Sequence, residues 1–68
     1  MSPSDFKPDQ RVLYVPNHVH GDRSHPDCVH GIVSSVNDMY VFVRYFTKDG
    51  DELKLHAQAT DPADLELP

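Results

Sequence analysis

The stretch Met39-Tyr40-Val41-Phe42-Val43-Arg44-Tyr45-Phe46 decides the architecture of this chain. It is rich in β-branched and aromatic residues and alternates with period two, the pattern of a half-buried strand. The simplest assignment turns Val41, Val43 and Tyr45 inward and Tyr40, Phe42 and Arg44 outward. Tight turns flank it. Asn37-Asp38 on one side tolerate left-handed backbone angles, and Asp49-Gly50 on the other is a hairpin signal.

Working outward, Gly31-Ile32-Val33-Ser34-Ser35-Val36 reads as the preceding strand, with Ile32 or Val33 setting its inward face. Glu52-Leu53-Lys54-Leu55-His56 alternates with Leu53 and Leu55 inward and reads as the following strand, which Ala57–Thr60 could extend. Arg11-Val12-Leu13-Tyr14-Val15 is a further strand, stopped by Pro16. Its alternation buries Val12 and Tyr14 on one face. It leaves Leu13 and Val15 on the other, under the loop that follows. Phe6 to Gln10 reads as a turn leading into this strand, and residues 1–5 as a flexible polar arm. In Asp61-Pro62-Ala63-Asp64-Leu65, Asp61 can cap a single helical turn, Pro62 suits its first position and Leu65 can drop into the core. Leu67 could add a last short strand or contact.

Four to five short antiparallel strands, a long first loop over residues 17–29 and one late helical turn predict an all-β fold, a small SH3-like barrel. Closure of the sheet removes strand edges and lets a thin core be shared. The 68 residues are read as one domain, near the lower limit of independent folding. A single cysteine allows no intramolecular disulfide and suits a reducing compartment. No apolar run has the length of a signal-peptide core or a membrane span. The expected location is therefore cytoplasmic. The formal net charge is −5, and the six Lys and Arg residues are scattered. That balance argues against general nucleic-acid binding, which needs a cationic footprint. A local patch of Arg11, Arg23 and Arg44 is the residual route to it. The acidic residues crowd the second half (Asp49, Asp51, Glu52, Asp61, Asp64, Glu66) and suit either a solvated surface or a basic partner.

The loop carries the chemistry. His18, His20, His25, Cys28 and His30 place four of the five histidines and the only cysteine within thirteen positions. Imidazole and thiolate are zinc ligands, and a bound zinc would order a loop that has little to bury. His25 and Cys28 form the natural pair, completed by His18 or His20 and His30. The spacing matches no standard finger. The simpler reading of the same residues is hydrogen bonding within the loop to Asp22 and Asp27, with Cys28 a small buried hydrophobe and no cofactor. A nucleophilic set of Cys28 with His25 or His30, oriented by Asp27, is nominal: residues adjacent in sequence rarely reach that geometry, and a small barrel offers little pocket. Ser34-Ser35 reads as strand sequence. The expectation is a protein without enzymatic activity.

The surface beside the first loop could present Tyr14, His18, His20, Tyr40, Phe42 and Arg44 to a protein partner or to a second copy of the chain. Aromatic residues and arginine are the side chains enriched at binding hot spots. The runs Arg11 to Pro16, His18, Gly21-Asp22, His25-Pro26-Asp27-Cys28, Gly31 to Ser35 and Val41-Phe42-Val43-Arg44 resemble a family of small bacteriophage and prophage proteins that carries no settled activity. The resemblance covers most of the chain. It implies a phage-derived accessory protein in the bacterial host cytoplasm, one that binds a host or phage protein and in some cases inhibits a host system. The alternatives are a zinc-stabilised binding domain or a nucleic-acid-binding SH3-like domain.

Overall fold

A computed structural model of the chain describes residues 2–47 and 52–68. It contains five antiparallel strands: β1 (Arg11–Tyr14), β2 (Val29–Val36), β3 (Val41–Tyr45), β4 (Gln58–Thr60) and β5 (Leu65–Glu66). They form one curled sheet in the order β4-β3-β2-β1-β5. Short 3-10 turns at Pro3–Asp5, Asn17–Val19 and Pro62–Asp64 are the helical elements among the described residues. No helix among them is long and apolar enough to cross a membrane. The long first loop and the turn joining β4 to β5 give the order of a small SH3-like barrel, as the sequence pattern predicts.

The inner face follows the pleat of β3. Val41, Val43 and Tyr45 are buried with Val12, Val33, Leu65 and Phe6, and Tyr14, Val29 and Val36 pack against them. Strict alternation in β2 would put Gly31, Val33 and Ser35 on this face. A β-bulge prevents that. Val33 pairs with Val43, the register then shifts by one, and Ser35 pairs with Phe42 while Val36 pairs with Val41. The extra residue turns Ser35 outward and brings Val36 against the core. Gly31 is required where it stands, between Val12 and Tyr45 in the ladder. A Cβ there would lie 2.5 Å from Val43 Cγ1 and 2.9 Å from the Arg44 carbonyl oxygen.

Phe6, read from sequence as part of a turn, is a core residue at 2% exposure. Two local devices fold it in. The Pro3–Asp5 turn, within the segment expected to be a flexible arm, is closed by the Ser2 amide donating to Asp5 Oδ2 (2.7 Å). Beyond Phe6, Asp9 takes a left-handed φ of 70°, a conformation that Asp tolerates better than most residues. Its amide donates to the Val33 carbonyl (2.8 Å), and the Val33 amide returns a bond to Gln10 (2.9 Å). Phe6 is thereby delivered beside Val33.

The strand expected over Glu52–His56 is not where the sheet continues. Leu53 makes an isolated bridge to Phe46, and Leu55 is 77% exposed. The partners of Val41 and Val43 are instead Thr60 and Gln58 in β4. Tertiary pairing decides this against local alternation. The buried Thr60 hydroxyl is satisfied by the Tyr45 hydroxyl at 2.7 Å, so a polar residue is stable there and leads directly into the next turn. The Asp49-Gly50 turn lies outside the described residues. Asp61 caps the Pro62–Asp64 turn by accepting from the Ala63 amide (2.9 Å), and Leu65 is buried as expected. Leu67 lies beyond β5 and is exposed.

Gly31→Ala tests the inner packing. The added methyl must displace Val43 or the β3 backbone, so urea denaturation should show a loss of about 1–3 kcal/mol. An unchanged midpoint would contradict the close approach of β2 and β3.

Candidate functional site

The first loop is held to the sheet by a second apolar cluster. Leu13, on the outer face of β1, and Val15, just beyond its end, are buried with Val19, and Cys28 packs against them. The Asn17–Val19 turn carries Val19 down onto the sheet. His20 (φ 52°) and Gly21 (φ 80°) then reverse the chain through two consecutive left-handed residues. Successive main-chain turns close the rest: His25 N–H to Asp22 O (3.1 Å) and Cys28 N–H to His25 O (3.0 Å).

Asp22 organises the loop tip. Its Oδ1 accepts from the Ser24 amide (3.0 Å) and the Ser24 hydroxyl (2.7 Å). These bonds hold its carboxyl below the ordinary carboxylate value of 3.8. Asp27 plays the corresponding part at the base. Its Oδ2 accepts from His18 Nε2 (2.6 Å), while its amide donates to His25 Nδ1 (3.0 Å). The His18 and His25 rings stand edge to face, 6.0 Å apart.

Of the five ligand candidates, His18 and His25 are thus brought together around Asp27. Cys28 is turned the other way, its thiol donating to the Asp22 carbonyl (3.3 Å). His20 is exposed at the reversal and His30 is exposed on β2. Among the described residues, no three His, Cys, Asp or Glu side chains converge in an arrangement that could hold a metal ion. The Cys28 thiol also meets a carbonyl rather than an imidazole, so the Cys28, His25 and Asp27 set lacks the thiol–imidazole contact that activates a nucleophile.

The candidate interface residues divide among three places. Tyr40, Phe42 and Arg44 lie on the outer face of β3, with Tyr40 41% exposed. Arg44 is anchored by its Nε donating to the Lys54 carbonyl (2.8 Å). Ile32 pairs with both Arg11 and Arg44, so the two arginines share one row of this face. The Arg11 guanidinium lies over the Phe46 ring, 5.2 Å from its centroid. Arg23 is elsewhere, bonded to the Leu67 carbonyl (2.8 Å) and facing Glu66 (3.4 Å). His18 and His20 belong to the loop. Tyr14 faces inward, as alternation predicts, and meets Tyr45 edge to face at 6.0 Å.

Those two tyrosines mark a groove that the sequence reading did not find. An open cavity of about 320 Å³ runs between the ends of β1 to β3 and the β4–β5 connection. Its lining includes Tyr14, Tyr45, Lys54, Thr60, Asp61 and Asp64. The usable signal in the sequence was the inward alternation of Tyr14 and Tyr45, which puts two phenol rings at one end of the sheet. Asp61 and Asp64 were legible as turn residues, not as its wall. A second open concavity, of about 630 Å³, lies between residues 26–30 and Phe46, Thr47 and Lys54.

Comparison with family models, curated proteins and solved structures finds no match to this chain.

Tyr45 gives the site a pH signature. Burial pushes its phenol above the ordinary value of 10.0; the Thr60 hydroxyl opposes this, and Tyr14 and Asp64 nearby add to it. A value raised in the folded state contributes stability that is full below the unfolded value and is lost as pH rises through the folded one. Wild-type stability should therefore fall above about pH 10. Tyr45→Phe should lessen that fall and cost about 1 kcal/mol at neutral pH through the lost hydrogen bond. Urea titrations across this pH range decide it, and an equal alkaline slope in both proteins would contradict the assignment.

Proposed function

We propose that this chain is a non-catalytic protein-interaction module, a phage-derived accessory protein that engages a host or phage protein in the bacterial cytoplasm. The observation that carries this reading is the outer face of β3. Tyr40, Phe42 and Arg44 follow one another on it, with Ile32 and Arg11 alongside. The first loop, which buries the neighbouring Leu13 and Val15, does not extend over Tyr40 and Met39, which are 41% and 66% exposed. Aromatic residues beside arginine, on a rigid sheet, match the composition of binding hot spots.

The loop contributes a rim beside this face rather than a reaction centre. His18 and Asp27 form an exposed pair, at 63% and 55% side-chain exposure. Such a pair contributes little to stability but stays available to a partner. The phage assignment draws its support from the resemblance of the β1, loop and β3 sequences described above. Inhibition of a host system is one form that such binding takes.

Phe42→Thr removes the ring and puts a β-branched residue, which strands favour, in its place, so the sheet should persist. A partner captured from bacterial lysate by the wild-type protein should bind this variant about thirtyfold more weakly. Circular dichroism should show an unchanged fold. Equal affinity for the same partner would remove the β3 face from the interface. Binding whose affinity falls steeply with salt and whose partner is DNA or RNA would favour the nucleic-acid alternative.

A further inference from the structure

We infer that the groove between Tyr14 and Asp64 is a receptor site for the guanidinium group of an arginine carried by a basic segment of the partner. The inference rests on the interaction-module reading for the source of that side chain. It uses a different surface from the β3 outer face, so the two fail separately.

The cavity, about 320 Å³, is at the lower end of the range of small-ligand sites, roughly 300–1,000 Å³. One side chain fits it better than a folded surface does. Tyr14 is half-buried, and its ring is held edge to face by the buried Tyr45, 6.0 Å away. Tyr45 is itself fixed by its hydroxyl bond to Thr60, 2.7 Å long. The backing is therefore rigid and its phenol already has a partner. What it offers an incoming group is aromatic surface.

The β4–β5 connection, which also lines the groove, supplies negative charge. Asp61 Oδ1 holds the Ala63 amide at 2.9 Å. The Asp64 turn position is fixed by its main chain: its amide donates to the Asp61 carbonyl (3.0 Å) and its carbonyl accepts from Val15 (2.8 Å). Neither carboxylate is ion-paired among the described residues, whose ion pairs lie in the first loop and at Glu66. Asp64 is close enough to Tyr45 to disfavour loss of the phenol proton. An aromatic face and a carboxylate at one groove select a cation. Planarity and two parallel donors favour guanidinium over ammonium, because it can lie against Tyr14 while directing N–H groups to Asp64. The net charge of −5 favours the approach of a basic segment. Lys54, on the groove rim, reduces this attraction and is the built-in competitor.

The test is a two-dimensional amide NMR titration at low salt with acetyl-Gly-Arg-Gly-amide, beside the same tripeptide carrying citrulline or lysine. Saturable shifts at Tyr14, Thr60 and Asp64, absent with citrulline and weaker with lysine, are expected. Asp64→Asn should weaken binding about tenfold, and among the described residues its side chain takes part in no hydrogen bond. Tyr14→Phe should retain binding and Tyr14→Leu should lose it; if the leucine variant does not fold, the Asp64 result still decides. Shifts that do not saturate, that are equal with citrulline or lysine, or that fall on Tyr40 and Phe42 instead would overturn the assignment. A partner lost on Phe42→Thr but retained equally by Asp64→Asn would leave the β3 interface standing and remove the arginine groove.

Discussion

β1 is buried from both sides, and the rest of the molecule depends on it. An antiparallel sheet of this size ordinarily keeps one wet face. Here Val12 enters the inner core at 0% exposure, while Leu13 and Val15, pointing the other way, are reduced to 4% and 7% by the first loop. The strand is thus the middle layer of a locally three-layered structure. Each of its residues is committed by the pleat, because a one-residue slip would exchange the two cores. That commitment fixes Tyr14 beside Tyr45 and fixes Val19, with the loop attached to it, on the outside.

Most of this was legible in the chain. The alternation of Val41, Val43 and Tyr45, the opposite facing of Val12 and Leu13, the Asn37 turn and the capped turn at Asp61 follow from local rules, and the structure has each of them. What escaped depends on contacts remote in sequence. Phe6 looks like a residue between two prolines, and its burial requires the Asp9 reversal and the Val33 ladder. Of the strand read over residues 52–56 and its extension over 57–60, the extension is the part that pairs as β4, and the buried tyrosine–threonine hydroxyl pair that accommodates it is something no periodicity reveals. The bulge at Ser34 is visible only as a fault in alternation, Ser35 standing where an apolar residue was due.

The candidate site was legible in composition and not in arrangement. The histidine-rich loop is a distinct feature of the sequence. In the fold, its members divide between an Asp27-centred pair, the Cys28 thiol on the apolar cluster and two exposed rings. The groove at Tyr14 went unseen because its walls come from segments remote from one another in the chain. With Tyr40, Phe42 and Arg44 on one face and the tyrosine groove at the sheet end, the chain presents two surfaces of contrasting chemistry on one small scaffold.

The central claim is that apolar contact with β1 and main-chain turns hold the first loop in place. Amide hydrogen exchange on protein kept in excess chelator tests it most directly. The amides of His20, Asp22, His25 and Cys28, each bonded within the loop, should stay protected, and Val19→Ala should release them while Val33 and Val43 remain slow. Loss of loop protection on chelation, with Val19→Ala having no effect, would show that a metal and not the Leu13–Val15–Val19 cluster organises the loop.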